Sequence, residues 1–97
     1  MDRIGRIEAM EGRFDAALVA VDALESALES YEGSLDDIRE LESYLSSPER
    51  RGDLEADEEG LLPASLKRGV LSEDGLYDLL ERNDGLLERL RGLFRAD

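Results

Sequence analysis

Apolar residues recur along the first 45 positions in steps of three and four: Ile4, Ile7, Met10, Phe14, Leu18, Val21, Leu24, Leu28, Tyr31, Leu35, Ile38, Leu41 and Leu45. That is the period of an α-helix rather than of a strand. One subset, Ile7, Phe14, Val21, Leu28 and Leu35, is an unbroken seven-residue repeat, the spacing of a coiled-coil seam. Ala16, Ala17, Ala20, Ala23 and Ala27 raise helix propensity and let a neighbour approach closely. The pattern predicts a long amphipathic helix over about 2–46, roughly 66 Å in length at ~1.5 Å per residue. Gly33-Ser34, followed by Asp36 and Asp37, has the residue types of a helix end, an N-cap and an acidic first turn. Leu28 and Leu35 stay in phase across it. A helix that is continuous or gently kinked at Gly33 is therefore favoured over a full break.

Ser46-Ser47-Pro48 ends this pattern, because the residue before proline is steered away from helical angles. Residues 49–61 then read as a charged linker, with Leu54 the one apolar residue in its middle and a candidate for pinning it. Pro63 suits the first position of a short helical turn, Lys67 and Arg68 suit its last turn, and Gly69 suits a left-handed stop. Ser72 is a good N-cap, followed by Glu73 and Asp74 at the positive end of the helix dipole. Leu71 and Leu76 occupy the positions of a hydrophobic staple around it. The last helix, about 73–95, carries one apolar row at Leu76, Leu80, Leu87, Leu90 and Phe94, and a second at Leu79, Leu86 and Leu93. Asn83 interrupts the first row, either as an amide at its edge or as a buried polar residue that sets register.

These elements define an all-α chain, read as one domain over 1–97, with the last helix packing antiparallel to the first. The last helix is only about 35 Å long at the same rise, so a hairpin leaves much of the long seam without an intrachain partner. Exposed apolar stripes of that size mark interfaces. Either the chain breaks at Gly33 and closes into a three-helix bundle, or the long helix pairs with a second copy as a homodimer. The homodimer is the favoured expectation, and an unidentified protein partner is the other.

Composition narrows the functions. The chain has 25 acids against 12 bases, a formal net charge of −13. Residues 1–45 hold 12 acids and 4 bases, 46–60 hold 6 and 2, and 61–97 hold 7 and 6, so the excess lies in the first two thirds. Nucleic acid and anionic membrane surfaces both demand a basic face, and neither is expected as a partner. No apolar run approaches the ~20 residues of a membrane span, and the first residues lack a signal-peptide core, so a cytoplasmic location is expected. The absence of histidine removes the commonest general base, and the absence of cysteine removes thiolate metal sites.

Three constellations could still carry chemistry. Asp53, Glu55, Asp57 and Glu59 alternate before Gly60, but a calcium loop counted from Asp53 needs glycine at its sixth position and glutamate at its twelfth. Here the glycine is eighth and the twelfth residue is Ala64, so the run reads as a solvated charge cluster. The pairs Asp37/Glu40 and Asp74/Asp78 have helical spacing, yet fall short of the facing carboxylate set of a magnesium-dependent nucleotide pyrophosphohydrolase. Lys67-Arg68 has the charge for a phosphate or an acidic partner, and also the charge that complements a helix C-terminus. No nucleophile–base pair or phosphate loop is present. No catalytic, cofactor-binding or metal-ligating residue is therefore assigned and no cofactor is expected.

The stretch Leu62-Pro63-Ala64-Ser65-Leu66-Lys67-Arg68-Gly69-Val70-Leu71-Ser72-Glu73-Asp74, continued by Gly75-Leu76-Tyr77-Asp78-Leu79-Leu80, resembles the core of the family called domain of unknown function 4298. The Asp2-Arg3-Ile4 opening and Leu41-Glu42-Ser43-Tyr44 fit it as well. The resemblance implies a small, cytoplasmic, bacterial, all-helical protein and implies no activity. The sequence departs from the family near Arg50 and Leu54, where an aromatic pair is typical, which argues against tight packing of the linker. The expected function is a non-enzymatic helical interaction or structural module that self-associates. The alternative is a weakly metal-dependent enzyme using the linker acids with Asp74 and Asp78. A functional surface, if the fold has one, is expected where Lys67, Arg68, Tyr77 and Asp78 converge.

Overall fold

The computed structural model describes residues 2–95, and among these every regular element is helical, with no strand. Four α-helices follow one another: α1 (Arg3–Gly33), α2 (Leu35–Leu45), α3 (Pro48–Glu58) and α4 (Gly75–Arg95), with a 3-10 turn η1 (Gly69–Leu71) between the last two. Residues 1–35 and 36–97 form two separate compact units. The all-α class expected from the periodicity is what the chain adopts.

The first unit is α1, a 31-residue helix and so about 46 Å long. Asp2 caps its start: the backbone is extended there and the carboxylate accepts from the Gly5 amide at 2.7 Å. That satisfies one of the amides that a helix N-terminus leaves without a partner. A single helix has nothing of its own to bury against, and no residue of α1 is buried. Ile7, Phe14, Val21 and Leu28 of the seven-residue repeat are all exposed.

The long helix expected over 2–46 is interrupted by one residue, Ser34. Ser34 keeps near-helical angles (φ −100°, ψ −2°), and its hydroxyl donates to the Ser30 carbonyl at 3.2 Å. It therefore closes the last turn of α1 and is not the N-cap its sequence position suggested, which needs extended backbone. Gly33 keeps a negative φ as well, so no left-handed stop occurs here.

The second unit corrects the reading of residues 49–61 as a linker, since Pro48–Glu58 form α3. Ser47 is extended (φ −80°, ψ 152°), its hydroxyl oxygen accepts from the Arg50 amide at 3.1 Å, and Pro48 opens the helix where its missing N–H costs nothing. The helix ends at Gly60, the one left-handed residue among those described (φ 72°). There Leu61 N–H donates to Ala56 O at 2.9 Å and Gly60 N–H to Asp57 O at 3.1 Å, the paired bonds of a Schellman stop. The left-handed stop expected at Gly69 thus lies nine positions earlier. The short helix expected from Pro63 is only a turn, closed by Leu66 N–H to Pro63 O at 3.1 Å.

The last helix, expected from about 73, begins two residues later at Gly75, so Glu73 and Asp74 precede its first turn, while Ser72 still supports that start. Ser72 is extended and its hydroxyl oxygen accepts from the Gly75 amide at 3.1 Å, while the same hydroxyl donates to Gly69 O at 2.8 Å. Glycine at 75 is required by this arrangement, since a Cβ there would collide with Ser72 Oγ and lie 3.1 Å from Gly69 O. The cap sets α4 so that Leu76 (3% exposed) and Leu80 become the buried apolar side chains, with Leu71 half-buried beside the cap. Burial fades along the same row, from half-buried Asn83 and Leu87 to exposed Leu90 and Phe94.

Two glycine substitutions should move stability in opposite directions. Gly60→Ala forces a Cβ into the left-handed region and should cost about 1 kcal/mol. Gly85→Ala meets nothing within 4 Å on α4 and should gain roughly 0.5–1 kcal/mol through helix propensity. Denaturant melts monitored by circular dichroism check both signs.

Candidate functional site

The corner between α3 and α4 is built by side chains that reach back to backbone carbonyls. Arg68 is its centre. Its Nη2 donates to the Pro63 carbonyl at 2.6 Å, and Nη1 lies 3.3 Å from Asp57 Oδ1 on α3. Both partners of that ion pair are about one-third exposed, so the pair is shielded more than an ordinary surface bridge but keeps contact with water. Arg68 Nε is buried with no hydrogen-bond partner. A second link runs from Arg50 of α3, whose Nε donates to the Val70 carbonyl in η1 at 3.2 Å. The position where the family pattern would have an aromatic residue thus anchors α3 by a hydrogen bond, and Leu54 is half-buried. The stretch is helical and linked to η1, yet none of its residues is buried.

A third link joins α2 to α3: the Tyr44 hydroxyl donates to Asp53 Oδ2 at 2.6 Å. This bond holds the phenolic proton in place and raises the Tyr44 pKa above the ordinary 10.0. Burial and the negative charge of Asp53 push the same way, and Arg50 opposes them.

The four residues expected to mark a functional surface have separate surroundings. Arg68 is tied to Asp57 and Pro63 as described. Lys67 lines an open hollow of about 590 Å³ with Leu41, Val70, Leu76 and Leu79. Tyr77, more than half exposed, lines a different hollow with Glu42, Leu45, Leu80, Glu81 and Asp84. Asp78 is exposed in the first turn of α4, where its amide donates to Asp74 O at 2.8 Å. The Lys67 hollow has the volume of a small-molecule site but lacks the convergent polar groups that orient a ligand.

Among the described residues no three carboxylates are grouped to hold a metal ion. Asp53 and Asp57 of the alternating run are engaged by Tyr44 and Arg68. Those links were missed in the sequence because α3 was read as a linker. Ser47-Pro48-Glu49, a cap residue, a helix-opening proline and a first-turn acid, was the signal that could have revealed it.

The geometry defines a small all-helical chain with a polar corner between α3 and α4 and a long α1 in which no residue is buried. No helix among the described residues is long and apolar enough to cross a membrane. The model of the family described as domain of unknown function (DUF4298) matches residues 7–92, and the chain belongs to that family. Neither the curated proteins nor the solved structures contain a match.

The corner makes two predictions. Arg68→Ala leaves the Asp57 carboxylate and the Pro63 carbonyl without their partner and should lower stability by about 1–2 kcal/mol in denaturant melts. For Tyr44, the folded state holds the hydroxyl proton more tightly than the unfolded state, so unfolding releases it between the two pKa values. The advantage of the native chain over Tyr44→Phe should be complete below pH 10.0 and vanish as pH rises through the raised value. Paired melts across the alkaline range test this, and an advantage that persists at the highest pH would contradict it.

Proposed function

We propose that this protein is a non-enzymatic helical interaction module that associates with a second copy of itself through α1. The observation that carries the reading is the seam: Ile7, Phe14, Val21 and Leu28 repeat every seven residues on a helix in which no side chain is buried. A contiguous apolar strip of this length is costly to leave in water, and at this spacing a second helix covers it knob into hole. Further support comes from how little the chain buries. Among the described residues only Leu76 and Leu80 form a buried apolar core, while Ile4, Met10, Leu18 and Leu24 extend the exposed strip on α1. Burial of apolar area is the main favourable term in folding, and a chain of 97 residues with so small a core gains from a partner that covers the rest.

Light scattering on the purified chain tests the reading. The expected mass is that of a dimer, with a Tm that rises with protein concentration because association and folding are linked. Val21→Asp places a charge in the middle of the seam and should return the mass to that of one chain while leaving most of the helical signal. A strictly monomeric native chain at every concentration overturns the proposal.

A further inference from the structure

The charges beside the α1 seam determine which way the two copies run. Writing Ile7, Phe14, Val21 and Leu28 as the a positions of a heptad makes Met10, Ala17, Leu24 and Tyr31 the d positions. The flanking g positions are then Arg6, Arg13, Ala20 and Ala27, and the flanking e positions are Glu11, Leu18, Glu25 and Glu32. All of them lie on the uninterrupted helix α1. The two flanks are therefore segregated: one is basic or small, the other is acidic apart from one leucine.

Orientation follows from how flanks meet. In an antiparallel pair e faces e of the partner and g faces g, so one side brings together Glu11, Glu25 and Glu32 from both copies. The other side sets Arg6 and Arg13 against Ala27 and Ala20 of the partner. Acids are thus pressed together along one edge. In a parallel pair each g residue faces the partner's e residue five positions further on. Arg6 then meets Glu11 of the second copy, twice per dimer by symmetry. Ala20 and Ala27 meet Glu25 and Glu32, so those acids face a small neutral side chain instead of another acid. The seam agrees with two strands, with β-branched Ile7 and Val21 at a and Leu24 at d. We infer that α1 forms a parallel, in-register, two-stranded coiled coil with a second copy of this chain, an inference that rests on the self-association proposed above.

The chain has no cysteine, so single thiols report orientation without interference. Equal amounts of Met10→Cys and Leu28→Cys chains are mixed in a glutathione redox buffer, and the disulfide-linked species are counted by mass spectrometry at equilibrium. The parallel pair predicts links between identical positions in at least roughly tenfold excess over mixed links, because like positions share a layer. An antiparallel pair of the same seam predicts the reverse, since like Met10 positions then lie on the order of 25 Å apart. Excess of mixed links, with a dimer mass in light scattering, overturns the orientation and leaves self-association standing. A statistical mixture with a monomer mass overturns both. Charge exchange is a second measure: Arg6→Glu should weaken the dimer by roughly 2- to 10-fold in Kd, and adding Glu11→Arg should restore it. Failure of that rescue in a dimer also counts against the parallel arrangement.

Discussion

The three residues of η1 hold the second unit together, because α3 and α4 both pack on them. Their backbone carbonyls are where the polar links converge: Arg50 of α3 donates to Val70 O, and the Ser72 hydroxyl donates to Gly69 O while receiving the Gly75 amide. Loop backbone cannot satisfy itself in a regular ladder, so each shielded carbonyl needs a side chain or water. Arg68 serves the same need at Pro63 and adds the ion pair with Asp57. Leu76 follows the Ser72 cap directly and Leu80 one turn later, so this corner decides where the buried apolar side chains point. Changes that loosen it act on the core through the first turn of α4.

How much of this was legible in the sequence depends on whether local chemistry or distant partners set the outcome. The Ser72 hydroxyl at the start of the last helix, Leu76 and Leu80 as the inward row and the helical state of residues 3–45 apart from Ser34 all follow from local rules. Three readings fell to competing local chemistry. Ser47-Pro48 was taken for an ending and is a beginning, since proline blocks the residue before it but opens the helix after it. Gly69 was taken for the left-handed stop, but that conformation sits at Gly60, where α3 needs it. Ser34 bonds backward to Ser30 instead of forward, since its backbone keeps near-helical angles. Of the site, the Lys67-Arg68 pair was visible as charge. The partners of Arg68 were not, since Asp57 lies eleven positions away and no short-range rule selects it over its acidic neighbours.

The two units use their side chains differently. The corner of the second unit engages Arg50, Arg68 and Asp57 in holding backbone and one another. The first unit spends none of its apolar residues on a core. Phe14, Val21 and Leu28 stand exposed on a helix with a side-chain cap at its start, so the helix is well defined while its face is unsatisfied. Order in the absence of burial is what a docking element needs, because a partner then meets a preorganised surface and less conformational entropy is lost on binding.

The acidity of the chain bears on this face through position more than through amount. A net charge of −13 repels a second copy over distances of a Debye length, about 8 Å at physiological salt. Repulsion of that kind is weak between charges on the outer surface and strong only where acids are pressed together along a seam. On α1 the acids Glu8, Asp15, Asp22 and Glu29 form a column one step further from the seam than the e positions, where water screens them. The acids that do flank the seam, Glu11, Glu25 and Glu32, are matched in the parallel pair by arginine or alanine of the opposite copy. A random placement of the same residues would set acid against acid in either orientation. This one does so in the antiparallel orientation and avoids it in the parallel one, so that in the proposed dimer the charge pattern of α1 would select the direction of pairing.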